Sequence, residues 1–436
     1  MNDQPNDHPN SRPNVPEEPS ASPRSRPQRA GPIPIGTATG GAAGILPKLH
    51  AEDAAMRPYV KKPWLRAFAA KQAGSRYHGR YVPGGEASVT ERALAHHAVV
   101  AGSTGSGKTR LALRLLEEQM RRGRSVVMLD PKTETVGHML DAARRAGVPA
   151  GRVTVITPGD LSSGVPGWNP LAAGMPVGLA AAEITSVLEA LYAGSWGPRL
   201  ADILMNALPV LAAKGLSLYE LRDLLTSEGY RNALLGDEPP GLDAEDAVAY
   251  REAASFFHTE FGHWTKADRV TAVGAVLNKT RALLRSAFFQ YFLCARENTL
   301  DLARLWDRQE VVLAHIDDAV LGASGASVLS GLLAHGLHRT AMRVGHGARN
   351  SVVLAVDEIG VQSPFLTEAL VDILAVARSK NLRLMAVCQH LAQIAPALRA
   401  SLLSQAMVQA YFQLGHGDAQ IVAGALPPRS RTTSPR

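Results

Sequence analysis

Residues 98–109 read Ala98-Val99-Val100-Ala101-Gly102-Ser103-Thr104-Gly105-Ser106-Gly107-Lys108-Thr109, and the next seven, Arg110-Leu111-Ala112-Leu113-Arg114-Leu115-Leu116, have helical periodicity. A short apolar strand, a glycine-rich loop and a helix start, in that order, let backbone N–H groups and a helix N-terminus cradle phosphates. Lys108 is placed to neutralise β- and γ-phosphates as a point charge, and the Thr109 hydroxyl to ligate Mg²⁺. Gly105 and Gly107 let the backbone close on an anion with no Cβ in the way. A plain glycine-rich turn would account for the composition of Gly102–Gly107. It would not account for the strand before it and the Lys108-Thr109 pair that opens the helix.

Outward from this loop, short β-branched runs alternate with helical stretches: Ser125–Asp130 (SVVMLD), Val153–Thr157 (VTVIT), Glu310–Asp317 (EVVLAHID), Ser351–Glu358 (SVVLAVDE) and Leu382–Gln389 (LRLMAVCQ). Near-continuous apolar strands separated by helices are buried on both faces and predict a mostly parallel sheet, hence an α/β fold. Residues 172–298 lack such runs. Their Leu/Ala periodicity, as in Leu200, Ile203, Leu204, Ala207, Leu208 and Leu211, predicts an all-α insertion dividing a core of residues 96–171 and 299–426.

A phosphate loop needs a carboxylate at the end of a neighbouring strand. Val352–Val356 followed by Asp357-Glu358 supplies one, with Asp357 to hold the metal and Glu358 to polarise an attacking water. Alone, an Asp-Glu pair after a strand reads as a solvated turn or a helix N-cap; the upstream loop reverses that preference. Gln389 ends another apolar strand, where it either senses a γ-phosphate or simply faces water.

The chain has 436 residues, 46% of them hydrophobic, which suits a large core and excludes a disulfide-stapled miniprotein; its two cysteines, Cys294 and Cys388, have no metal-ligand spacing and read as ordinary thiols. No charge-free run of 18 apolar residues and no signal-peptide pattern is present, so a soluble, cytoplasmic chain is expected. Residues 1–45, with nine prolines in the first 34 positions, predict a disordered arm, and residues 427–436 a disordered basic tail. The net charge is +7, of which residues 46–95 hold +5 and the last ten +3, leaving 96–426 at −1. The overall basicity is therefore poor support for nucleic-acid binding by the core. In 46–95, Trp64, Phe68, Tyr77 and Tyr81 interleave with basic residues. That pattern fits contact with bases and phosphates, an anionic membrane surface, or plain packing on the core.

The motif series HAVVAGSTGSGKT, VVMLDPKTE, WNPL, VVLAVDEIG, ILAVARSKNLRLMAVCQHLAQI and YFQLGHGDAQIVAGAL, from about His97 to Leu426, resembles the HerA/FtsK superfamily, nearest to TraG/TraD-like coupling ATPases of conjugative type IV secretion. The resemblance implies a RecA-like P-loop NTPase fold with an all-α insertion, assembled as a homo-hexamer around DNA. It makes Lys108 and Thr109 the phosphate and Mg²⁺ groups, Asp357 and Glu358 the Walker B pair, and Gln389 the sensor glutamine. Arg378 falls where such proteins place an arginine that reaches the neighbouring subunit's nucleotide, although taken by itself it reads as a helix-end arginine. Asp130 and Lys132 match an Asp-Pro-Lys after the second strand, with Thr133 where glycine is usual and a role that is either accessory to the site or confined to shaping its loop. Coupling proteins begin with transmembrane helices, so membrane attachment here is expected through a partner.

The expected activity is an ATP-driven DNA pump with ATP and Mg²⁺ at subunit junctions, partnered by a relaxase or secretion-channel proteins. Two other readings stand beside it: a nucleotide-switched platform that recruits relaxase or effectors, and a DNA-processing or segregation pump. The strandedness of the DNA and the direction of movement are not encoded in these motifs.

Overall fold

Alternate residues of the strand before the glycine-rich loop go to opposite sides of one sheet. Ala98 and Val100 join Leu115, Leu116 and Met120 in one buried cluster, while Val99 and Ala101 join Leu366, Leu370 and Leu333 in another. The computed structural model describes residues 86–425, apart from 173, 362 and 363, together with two short strands at Ile33–Thr37 and Gly79–Arg80.

Ten strands are described: β1 (Ile33–Thr37), β2 (Gly79–Arg80), β3 (Glu86–Val89), β4 (Ala98–Ala101), β5 (Ser125–Asp130), β6 (Val153–Ile156), β7 (Val311–His315), β8 (Val352–Val356), β9 (Leu382–Cys388) and β10 (Val408–Tyr411). Seven form a sheet in the order β10-β4-β9-β8-β5-β7-β6, parallel at every pairing. Both faces are covered, as a parallel sheet requires. The helices α1 (Lys108–Arg121) and α2 (Thr133–Arg145) contribute Leu115, Met120, Met139 and Ala142 to one face. The other face packs on α8 (Asp318–Val344) and α9 (Pro364–Val376), through Leu329, Leu333, Leu366 and Ile373. These two helices approach closely: a Cβ placed on Gly331 would lie 1.9 Å from the Phe365 ring.

Between β6 and β7 no strand occurs among the described residues. The chain there runs through α3 (Val177–Leu191), α4 (Pro198–Ala213), α5 (Ala244–Thr259), α6 (Lys266–Leu284) and α7 (Ala287–Leu293), with further short helices between. Leu200, Ile203, Leu204, Ala207, Leu208 and Leu211 pack with Phe256, Phe257 and Phe261 in a core of their own. By length and apolarity α8 is sufficient to cross a membrane, but 56% of its apolar window is buried within the fold, the pattern of a core helix.

The terminal stretches differ from the sequence reading. Ile33–Thr37, inside the stretch expected to be a disordered arm, pairs antiparallel with β3, which also pairs with β2. The β-branched Ile33 and Ile35 suit a strand once a partner is present. The boundary read at residue 96 falls inside packed structure, because Val89, Ala93 and Leu94 are buried in the same cluster as Val100. The aromatic and basic residues Trp64, Phe68, Tyr77 and Tyr81 with their neighbours, and the tail 427–436, lie outside the described residues.

Candidate nucleotide-binding site

All strands of the large sheet point their C-terminal ends to one edge, and in such sheets ligands bind beyond that edge. The loop after β4 lies there, next to the ends of β9 and β8. Gly105 and Gly107 have φ of 75° and 99°, a left-handed conformation that glycine adopts without a Cβ penalty. Gly102 is required for a different reason. A Cβ there would sit 2.6 Å from Phe412 Cβ and 2.8 Å from Ser106 Oγ. The loop is tied down at both sides, with Gly102 N donating to Cys388 O (3.2 Å) and Ser103 N to Gln413 O (2.9 Å). Lys108, first residue of α1, is only 4% exposed and has no ion-pair partner among the described residues. A buried ammonium with no ion pair of its own, felt only at longer range by the Asp357 and Glu358 carboxylates, is suited to hold an anion.

Two aspartates end adjacent strands in the same way. Asp130, last residue of β5, accepts from Lys132 N at Oδ1 (2.6 Å), and Asp357, just after β8, accepts from Glu358 N at Oδ1 (2.8 Å). In each, Oδ2 is buried without a hydrogen-bond partner. Burial, and then the charge of Asp357, pushes the Asp130 carboxyl up to about 6; burial also raises that of Asp357. Two buried carboxylates facing one region, each with a bare oxygen, are suited to a hard divalent cation.

Glu358 has a φ of 51°, a left-handed backbone in a non-glycine residue, a conformation that carries strain and collects at functional sites. Its Oε1 accepts from Gln389 Nε2 (2.7 Å) and from Lys132 Nζ. Partial burial alone would raise its pKa, but these two donors hold it below the usual carboxylate value. Gln389, directly after β9, accepts in turn from Thr104 Oγ1 at 3.0 Å. A polar chain thus runs from the glycine-rich loop through Gln389 and Glu358 to Lys132, across the ends of β4, β9, β8 and β5.

A family model of the helicase HerA central domain matches residues 86–165, the stretch from β3 past the glycine-rich loop, β5 and β6. That match covers a minority of the chain, whose seven-stranded parallel sheet has the fold of an α/β P-loop NTPase. Among solved structures, VirB4 of Thermoanaerobacter pseudethanolicus is 15% identical over 80% of this chain and 87% of its own, with a TM-score of 0.50. The bacterial conjugative coupling protein TrwB, in its trigonal form with sulphate, is 15% identical over 77% of this chain and 74% of its own, with a TM-score of 0.51. Both likenesses are of fold. No curated protein matches the sequence.

In this P-loop NTPase fold, the structure brings together Gly102–Thr109, Asp130, Lys132, Asp357, Glu358 and Gln389 at one sheet edge. Arg378 is elsewhere. Its backbone belongs to the short turn Ala377–Lys380 that precedes β9, at the opposite end of that strand from Gln389 and roughly 20 Å away along its seven residues. The Arg378 side chain lies outside the described residues. The sequence reading did not identify Phe412 and Gln413, which wall the P-loop, nor the contact of Lys132 with Glu358. The only signal for the first pair is their position within YFQLGHGDAQ, after a four-residue half-buried strand. Cys294 and Cys388 are free thiols, and burial pushes them up to about 11 and about 12, so neither is a nucleophile at neutral pH.

Proposed function

We propose that the chain hydrolyses ATP to move DNA, as the cytoplasmic coupling ATPase of a conjugative type IV secretion-like system, and that it works as a hexamer with nucleotide at subunit junctions. The observation that carries the ATPase part is the hydrogen-bonded chain from Thr104 through Gln389 to Glu358, beside the buried Lys108. The HerA match and the fold shared with VirB4 and TrwB support the DNA part.

In this reading the loop amides and Lys108 hold the β- and γ-phosphates. Asp357, with its bare buried Oδ2, and Thr109, in the first turn of α1, would hold Mg²⁺; the ion supplies positive charge against the transferring phosphoryl group. Water attacks the γ-phosphorus, the bond to the bridging β-oxygen breaks and ADP leaves. Glu358 takes the proton from the attacking water. Gln389, already bonded to both the P-loop and Glu358, reports phosphate occupancy to the base. The turn bearing Arg378 lies at the far end of β9 from the P-loop of its own chain, and in this reading Arg378 acts at a neighbour's nucleotide. Relaxase or secretion-channel proteins are its proposed partners.

The test is ATPase activity with and without single- and double-stranded DNA, over a series of salt concentrations, alongside the mass of the nucleotide-bound assembly. A translocase that neutralises several phosphates loses DNA affinity steeply as salt rises. ATPase activity indifferent to DNA, or a flat salt response, overturns the pump and leaves the recruitment platform.

A further inference from the structure

We propose that Lys132 is a positioning residue for Glu358: with Gln389 it pins one carboxylate oxygen, so that the other is the one presented to the attacking water. The inference rests on the ATPase reading above. Both donors, Lys132 Nζ and Gln389 Nε2, converge on Oε1. Nothing among the described residues donates to Oε2. A carboxylate held at one oxygen from two directions cannot rotate about its terminal bond, and its second oxygen keeps a fixed heading.

The two partners come from braced backbones. Lys132 lies two residues past the end of β5, and Glu358 two past the end of β8, strands paired in register at Leu129 and Val356. Asp130 Oδ1 holds the Lys132 amide (2.6 Å), and His315 Nε2 lies 3.2 Å from both Thr133 Oγ1 and Pro131 O, so the turn that launches Lys132 is tied to β5 and β7. On the other side Asp357 Oδ1 holds the Glu358 amide in its left-handed conformation. The Lys132 side chain is 44% exposed and that of Glu358 21%. A half-exposed ion pair contributes little to stability, so two braced turns converging on it are better explained by the geometry they impose on Glu358. The pairing also gives each strand-end aspartate a task through its backbone contact, independent of any cation.

The experiment compares ATPase kinetics of the wild type, Lys132→Ala, Lys132→Arg, Glu358→Gln and the Lys132→Ala/Glu358→Gln double variant. The expected result is a kcat lower by about 10- to 100-fold in Lys132→Ala, KM for ATP within about twofold, and partial recovery in Lys132→Arg. In the Glu358→Gln background, removing Lys132 is expected to cost nothing further. An unchanged or raised kcat in Lys132→Ala overturns the proposal, as does an equal loss in both backgrounds, which would mark a structural role. Absence of ATPase in the wild type would instead overturn the ATPase reading. The clamp is then read from melting temperatures of the nucleotide-free proteins, where non-additive shifts of the two substitutions support it and additive shifts overturn it.

Discussion

Gln389 donates its side-chain Nε2 to Glu358 Oε1 across 2.7 Å, while its own Oε1 accepts from the Thr104 hydroxyl of the P-loop. The two bonds fix which way the amide faces and place Glu358, the proposed base, one residue from the glycine-rich loop. Glu358→Gln is expected to lower kcat by about 10²–10⁴ and to leave nucleotide binding intact, since a general base acts on the chemical step. Gln389→Ala should lose less, by loosening the base without removing it. Single-turnover hydrolysis and equilibrium ATP binding separate the two effects, and a Gln389→Ala protein that turns over like the wild type would show the link to be idle.

Lys108 is buried at the start of α1 with no carboxylate paired to it among the described residues. Lys108→Ala should abolish detectable ATP binding by calorimetry. It should also remove the rise in melting temperature that ATP gives the wild type, because stabilisation by a ligand tracks its binding.

Asp130 is expected to leave a signature in the pH dependence of stability. A carboxyl raised from 3.8 to about 6 binds its proton more tightly folded than unfolded. Its contribution is therefore complete below about pH 4 and is lost as pH rises through 6, amounting to about 3 kcal/mol at most. Urea unfolding in EDTA, without nucleotide, should show this decline in the wild type and a flatter profile in Asp130→Asn. Parallel profiles in the two proteins would refute the assignment.

The contact between α8 and α9 offers a test of packing. At Gly331 a Cβ would stand 1.9 Å from Phe365 Cδ1, so Gly331→Ala must push the two helices apart or turn the ring. Overpacking of this kind costs about 1–3 kcal/mol, expected as a lower melting temperature with little change in KM for ATP. An unaltered melting temperature would mean that the ring moves aside freely.

The sheet was legible because its central strands are buried on both faces and are written as unbroken apolar runs. Ser125–Asp130 matches the observed β5 residue for residue. β10 was not legible: four residues at the sheet edge, three of them half-buried, carry no such run. β1 was hidden by the prolines and glycines around it, which make the composition of a segment look unstructured when its partner strand lies far ahead in sequence. The P-loop and the Asp357-Glu358 pair announce themselves through local spacing. The Lys132–Glu358 contact joins positions 226 apart, and neither helical nor strand periodicity can encode such a meeting. It follows from the order of strands in the sheet, and the sequence shows that strands exist without saying which are neighbours.

The polar chain that unites the site spans 285 positions between Thr104 and Gln389, and the P-loop is walled only when Phe412 and Gln413 arrive. Synthesis runs from the N-terminus, so the glycine-rich loop leaves the ribosome long before the strands that complete it. Contacts of such high sequence separation form late in folding. An unfinished chain therefore carries the motif without the pocket, and nucleotide can act as a ligand of the mature fold but not as a template for its early folding.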